Sequence, residues 1–400
     1  MTEPGTGGPL HDLAYLDFAA TSAIRPEPVI HAITDYLTRI GATPGRGGHR
    51  LAIAAERVAL ECRQALARLL DFQGDPGRIA FVFNATHGIN TAMSAVLGPG
   101  DVVVVTAFDH NAVLRCAHKL SVERGVEVRL VPGDRSGALD EHALERALDG
   151  ARMLSVNGAS NVLGTMLPVE RLCALARAAG ALSLVDTAQV AGELPFSAAA
   201  SGADFVAVTG HKALLGPQGI GALWVRAGIE IAPLLVGGTG GNSLLRNMPD
   251  AMPDRLEAGT SNAPGIAGLN AGIRFVLARG ADAGRAHARR LKVQLWRGLD
   301  AIPGVRVRSP EAPDAAPIVT ITADGIDPAA LAARLDREHG VLARPGLHCA
   351  PEAHRVLGTD GSGALRFSIG WATTEAHVDR AIDAVAAIVR RVTMAVHAPG

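Results

Sequence analysis

The chain has 400 residues, 48% hydrophobic and 19% charged, with 38 Lys and Arg against 39 Asp and Glu. At roughly 150 residues per domain this length suggests two or three domains, and the apolar content argues against disorder. With no basic excess and only 4% aromatic residues, the chain has neither the charge field nor the stacking platform that nucleic acid binding needs.

Apolar runs at 79–83, 101–106, 126–131, 153–156, 182–186, 205–209 and 222–226 predict seven strands. They are continuous rather than alternating, as in a sheet covered on both faces. Helices are expected between them at 88–97, 111–124, 140–148 and 169–179. This alternation predicts an α/β domain with a mostly parallel sheet. Residues 237–264, rich in Gly, Pro, Asn and Met, predict a long functional loop. A helical stretch follows at 267–295, then a strand at 318–322, a helix at 328–338, a strand at 365–369 and a helix at 375–392. The expected division is a large domain over 1–270 and a smaller α+β domain over 271–400, with the N-terminal segment packing on the latter.

Cys62, Cys116, Cys173 and Cys349 form no C-x-x-C and have no His pair at zinc spacing, so neither disulfides nor a metal site are expected. Residues 1–8 lack a basic and an apolar signal region, and no apolar run reaches 18 residues. A cytoplasmic setting without a membrane partner is the expectation.

Four local strings carry chemistry. In Thr209-Gly-His-Lys-Ala-Leu-Leu-Gly, a strand ends beside Lys212. A desolvated lysine there would be a Schiff-base nucleophile, and a surface lysine on a turn fits equally well. Asp186 closes the 182–186 strand, where an acid faces the ligand crevice and could hold a pyridinium nitrogen protonated. A helix cap is the simpler reading of Asp186 alone. Ala85 and Thr86 sit where a strand turns into a helix, which makes either a phosphate cradle or an ordinary capped start. Cys349, in Arg344-Pro-Gly-Leu-His-Cys-Ala-Pro, lies on a turn beside His348 and Arg344. Both can favour its thiolate electrostatically, so it reads as the reactive cysteine. If this stretch is extended, His348 points away from Cys349. Arg366, on the strand that follows, could pair with a substrate carboxylate.

Together with further strings, these resemble the class V aminotransferase family of pyridoxal-phosphate (PLP) enzymes, and within it the cysteine desulfurase and selenocysteine lyase branch. The strings are Tyr15-Leu-Asp-Phe-Ala-Ala-Thr-Ser, Gly45-Arg-Gly-Gly-His, Asn84-Ala-Thr-His-Gly-Ile-Asn, Asp109-His-Asn and Ala159-Ser-Asn-Val-Leu-Gly. They continue with Val185-Asp-Thr-Ala-Gln, Thr209-Gly-His-Lys, Glu257-Ala-Gly-Thr-Ser-Asn and Gly346-Leu-His-Cys-Ala-Pro.

The resemblance implies the PLP-dependent transferase fold type I. Lys212 would carry the cofactor, Asp186 would face its ring nitrogen, Gln189 its ring hydroxyl, and His110 would stack on the ring and shuttle protons. Ala85, Thr86, His87, Thr209 and His211 would surround the phosphate, joined by Thr260 from a second subunit of a homodimer. Asn161, also near the cofactor, and Arg366 would hold the substrate carboxylate. Cys349 would take the sulfur of L-cysteine as a persulfide, leaving alanine, and pass it to an acceptor protein. A second implied reading keeps the cofactor but changes the reaction to that of a C–S lyase, selenocysteine lyase, epimerase or aminotransferase. Phe18, His87, Gly158 and Thr187 depart from the family strings. They are expected around the site and bear on substrate choice.

Overall fold

The computed structural model describes residues 12–45, 47–240, 244–312 and 314–397. Residues 1–8, Arg46 of the 45–49 string and residues 241–243 of the expected loop lie outside the described residues.

In chain order the strands are β1 (Ala14–Tyr15), β2 (Ile79–Val82), β3 (Val102–Thr106), β4 (Glu127–Val131), β5 (Met153–Asn157), β6 (Leu182–Asp186), β7 (Phe205–Thr209), β8 (Gly221–Val225), β9 (Val305–Val307), β10 (Ile318–Ala323), β11 (Val341–Leu342), β12 (Arg344–Gly346) and β13 (Ala364–Ser368). The helices are α1 (Glu27–Asp35), α2 (Arg50–Leu70), α3 (Ala85–Val96), α4 (Asn111–Arg124), α5 (Glu141–Leu148), α6 (Val169–Ala178), α7 (Ala198–Ser201), α8 (Ala263–Arg279), α9 (Ala281–Asp300), α10 (Pro328–His339), α11 (Pro351–Leu357) and α12 (Glu375–His397).

Seven strands form one sheet in the order β2-β8-β7-β6-β5-β3-β4, parallel except where β8 runs against both of its neighbours. These are the seven strands expected, each end within one residue. Their unbroken apolar character has a direct cause, because side chains alternate between two covered faces. In β3, Val103 and Val105 pack with Ile89 of α3 and Val113 of α4, while Val102 and Val104 pack with Leu144 of α5 and Leu172 of α6. In β7, Phe205 and Ala207 join the first of these layers, and Val206 and Val208 meet Leu66 of α2 and Ile266 of α8.

A second, antiparallel sheet has the order β12-β13-β10-β9. Leu291, Leu295, Leu335, Val385 and Ile388, from α9, α10 and α12, pack with Val319, Ile321, Leu365 and Phe367 of its central strands. The expected helix at 267–295 is two helices, broken at Gly280 (φ +81°). Between β8 and α8 the described residues form neither helix nor strand, so the loop begins earlier than expected. The chain's N-terminal segment joins the C-terminal region: β1 pairs in parallel with β11, and Asp17 bridges to Ser368.

Candidate active site

Parallel strands direct their carboxyl ends toward one edge of the sheet, where α/β proteins place ligands. A cavity of about 250 Å³ opens there. It is lined by Ala85, Thr86, His110, Asn161, Asp186, Gln189, Thr209, His211, Lys212, Cys349 and Arg366, all of them singled out from the sequence. Asn84, Asn157, Arg344 and His348 line it as well.

Lys212 follows β7 on a tight turn. Gly210 is required there, since a Cβ on it would lie 2.7 Å from the Ile220 carbonyl oxygen. The turn is stapled from the far end of the chain. The Ser22 amide donates to His211 O at 2.9 Å, and Ser22 Oγ donates to Lys212 O at 2.8 Å. Burial lowers the Lys212 ammonium to about 8; Asp186 opposes this, while Arg366 and Arg344 add to it. The lysine is therefore a half-buried amine whose ammonium is easier to deprotonate than a free one, as Schiff-base chemistry needs. Lys212 is half-buried and lines the cavity, which favours the first of its two readings.

Ala85 and Thr86 open helix α3. Asn84 Oδ1 caps it by accepting from the His87 amide at 3.0 Å. The first amides of a helix have no intrahelical acceptor, so this end of the cavity suits an anion. Thr209 Oγ1 is buried without a partner at the end of β7.

Asp186 accepts from the Ala188 amide at 2.9 Å and also lines the cavity, so the turn-capping and ligand-facing readings both hold. His110 caps α4, its Nδ1 accepting from the Ala112 amide at 3.0 Å. Burial lowers its pKa, so the ring is neutral and carries its proton on Nε2. Behind it, fully buried Asp109 accepts from the Thr106 amide at 2.7 Å, and burial raises its carboxyl to about 8.

Arg366, almost wholly buried on β13, donates to Asn161 O at 3.0 Å and pairs with Asp17 Oδ1 at 3.0 Å. Its Nε and the Asn161 Oδ1 are buried with no partner. Unmet polar groups of this kind are costly unless something fills them. Arg344 stands directly opposite Arg366 in the β12–β13 register. Asp17 was not read from the sequence; an acid inside the apolar string 15–20 was its only signal.

Cys349 is exposed and lies between β12 and α11. The stretch is not extended. His348 and Cys349 have φ of +50° and +57°, each a left-handed conformation that costs a non-glycine residue about 1–3 kcal/mol. Bonds on both sides hold it: the Asn111 amide donates to Cys349 O at 2.7 Å, and Asn161 Nδ2 donates to His348 O at 2.6 Å. The expectation that His348 favours a thiolate is corrected. Its ring is buried against His354, and burial lowers it to about 3, so it is neutral and lends Cys349 no charge. Cys62, Cys116 and Cys173 are buried, and burial raises all three thiols.

One expected residue lies elsewhere, and Thr260 was expected at a second subunit's phosphate rather than in this cavity. The His87 ring stacks on Phe83 outside the cavity, and Thr260 is exposed on the long loop. Among the four departures, none lines this cavity. A Cβ at Gly158 would strike Val190 Cγ2 at 2.3 Å, and Thr187 Oγ1 donates to Ala207 O at 2.8 Å, so both belong to packing. Phe18 lines an adjoining cavity of about 440 Å³ that also reaches Lys212. The expectation that the four surround the site fails because three of them face the protein interior or a surface ring stack.

The aminotransferase class-V family profile matches residues 14–381. The chain belongs to that family. Relatives in this class V family include a probable cysteine desulfurase of Methanothermobacter thermautotrophicus, 33% identical over 92% of this chain and 93% of the relative. A cysteine desulfurase of Haloferax volcanii is 33% identical over 93% of this chain and 88% of its own. The apo structure of a cysteine desulfurase from Thermococcus onnurineus superposes with a TM-score of 0.88 at 30% identity, covering 95% of both chains.

Proposed function

We propose that this class V enzyme is a PLP-dependent cysteine desulfurase that converts L-cysteine to L-alanine and collects the sulfur on Cys349. The observation that carries this reading is that Lys212 and Cys349 line one cavity of about 250 Å³ together with Asp186, His110 and Arg366.

The residues fit the cofactor. The α3 N-terminus and the unpaired Thr209 Oγ1 suit its phosphate, Asp186 suits a protonated ring nitrogen, and Lys212 is a half-buried amine with a lowered pKa. When bound, the group supplies an electron sink for bonds at the amino-acid carbon skeleton. Arg366 holds the substrate carboxylate through its unmet Nε–H, and Asn161 lines the cavity beside it. Neutral His110 presents an Nε2 proton to the cavity and exchanges it there. The Cys349 sulfur attacks the substrate sulfur. The substrate C–S bond breaks, an S–S bond forms, and the carbon keeps the electron pair and takes a proton. The sulfur is oxidised as the carbon is reduced, so cysteine and one thiol give alanine and one persulfide.

The exposed position of Cys349 leaves a persulfide open to an acceptor protein's thiol, and four unpaired cysteines suit a reducing, cytoplasmic setting. The proposed functional unit is a homodimer. Leu37, Ile53, Leu60 and Val236 are exposed apolar side chains, and exposed Thr260 is free to meet the cofactor phosphate of a second subunit.

The test is product analysis with L-cysteine and a reductant, following alanine, pyruvate and sulfide together. Alanine with stoichiometric sulfide is expected. Pyruvate in place of alanine assigns the site to a C–S lyase instead, and Lys212→Ala must lose the bound cofactor's colour.

A further inference from the structure

Behind Cys349 lies a buried hydrogen-bonded chain that the reaction above does not use. His348 Nε2 is 2.9 Å from Arg344 O, His348 Nδ1 is 3.2 Å from His354 Nε2, and His354 Nδ1 is 2.8 Å from Thr359 Oγ1. A carbonyl oxygen only accepts, so His348 Nε2 must carry the proton. With a neutral ring its Nδ1 is then bare and accepts from His354 Nε2–H. His354 Nδ1 is bare in turn and accepts from the Thr359 hydroxyl. All three donors point the same way, which fixes both tautomers. Burial lowers both imidazoles, in keeping with a neutral chain.

The chain's place in the fold gives it a task. Arg344 precedes the Cys349 turn, and His354 and Thr359 follow it, so the chain ties the two ends together across the cysteine. The turn it closes holds consecutive left-handed residues, His348 and Cys349, which persist only where surrounding bonds over-determine them. We propose that Thr359, His354 and His348 form a positioning relay that clamps the Cys349 turn from behind, and that sulfur transfer depends on it. The proposal rests on the desulfurase reading for its rate measurement only.

The test is His354→Leu, which removes both ring nitrogens, set beside His354→Gln, whose amide restores a donor toward His348. In His354→Leu, kcat for alanine formation from L-cysteine is expected to fall about tenfold or more while KM stays within about twofold, because a displaced nucleophile slows the step without touching Arg366. His354→Gln recovers most of that loss. If His354→Leu does not fold, Thr359→Val decides, since it deletes only the first donor; a fall in kcat of about threefold or more is expected. Wild-type kcat in a folded His354→Leu or Thr359→Val, or kcat and KM changing together without rescue by Gln, overturns the relay.

A second readout needs no desulfurase reaction. The rate of Cys349 alkylation by iodoacetamide in the substrate-free protein is expected to change about threefold or more in His354→Leu and to return toward wild type in His354→Gln. An unchanged alkylation rate overturns the relay. A wild-type protein that makes no alanine from L-cysteine, with this alkylation pattern intact, overturns the desulfurase reading and leaves the relay standing.

Discussion

Arg366, which lines the cavity, and Asp17, 349 residues away in sequence, form a 3.0 Å ion pair. The pair aims a buried guanidinium while leaving its Nε unsatisfied, and burial still raises the Asp17 carboxyl despite the partner. Arg366→Lys keeps the charge but loses the planar fork. The KM for L-cysteine is expected to rise about tenfold to a hundredfold, the equivalent of about 1.5–3 kcal/mol for a hydrogen bond to a charged group. Steady-state kinetics with an unaltered KM would remove Arg366 from the carboxylate site.

Cys349→Ser should retain the cofactor and still bind L-cysteine, because Lys212 and Arg366 are untouched. Alanine production should fall by about 10²-fold or more, with no persulfide detectable by mass spectrometry after substrate is added. Single serine replacements of Cys62, Cys116 and Cys173 should leave kcat near wild type, since those thiols are buried away from the cavity. Wild-type turnover by Cys349→Ser would sink the persulfide route.

Both carboxylate oxygens of Glu257 accept from Arg63 Nη2, at 2.7 and 2.9 Å, and Oε1 also accepts from the Phe81 amide at 2.6 Å. This anchors the loop that carries Thr260 to α2 and β2. Glu257→Ala leaves the Arg63 charge buried and unpaired, with an expected loss of about 3–5 kcal/mol in urea unfolding. Replacing both Glu257 and Arg63 should cost less than the sum of the single changes. Additivity would mean that the pair is not the anchor.

The histidine pair sets a stability slope in acid. Both imidazoles are held below their ordinary value of 6.5, His348 at about 3 and His354 at about 4. Between pH 6.5 and about 4 the unfolded chain therefore binds protons that the folded chain refuses. Stability falls as pH falls through this window. His354→Gln removes one of these groups, so its stability should decline less steeply between pH 7 and 5. Parallel wild-type and variant slopes in denaturant titrations at several pH values would contradict the assignment.

The large sheet was legible because each of its strands is buried on both faces and so reads as an unbroken apolar run. Helix α2 was not read. Its buried face is built largely from Ala52, Ala55, Ala59, Cys62 and Ala65, residues too small to stand out as an apolar stripe. The short strands β9 and β12 were missed as well, and their pairing with β10 and β13 depends on distant partners rather than on their own composition. Lys212, Asp186, His110 and Cys349 could be singled out because their neighbours form extended strings, and Arg366 because it stands as a lone charge on an apolar strand. The roles of Asp17, Ser22 and the His348–His354 pair come from contacts between remote segments, which no local spacing encodes. The misreading of His348 followed from its adjacency to Cys349 in sequence, which does not reveal that the ring is buried against His354.

The parallel pairing of β1 with β11 also bears on biosynthesis. The segment that staples the Lys212 carbonyl through Ser22 is also seated against strands far downstream of that lysine, at Leu342 and Ser368. A nascent chain that has reached only Gly280 has its lysine but neither of those strands, so the N-terminal segment gains its full seat only once the chain has grown past Ser368.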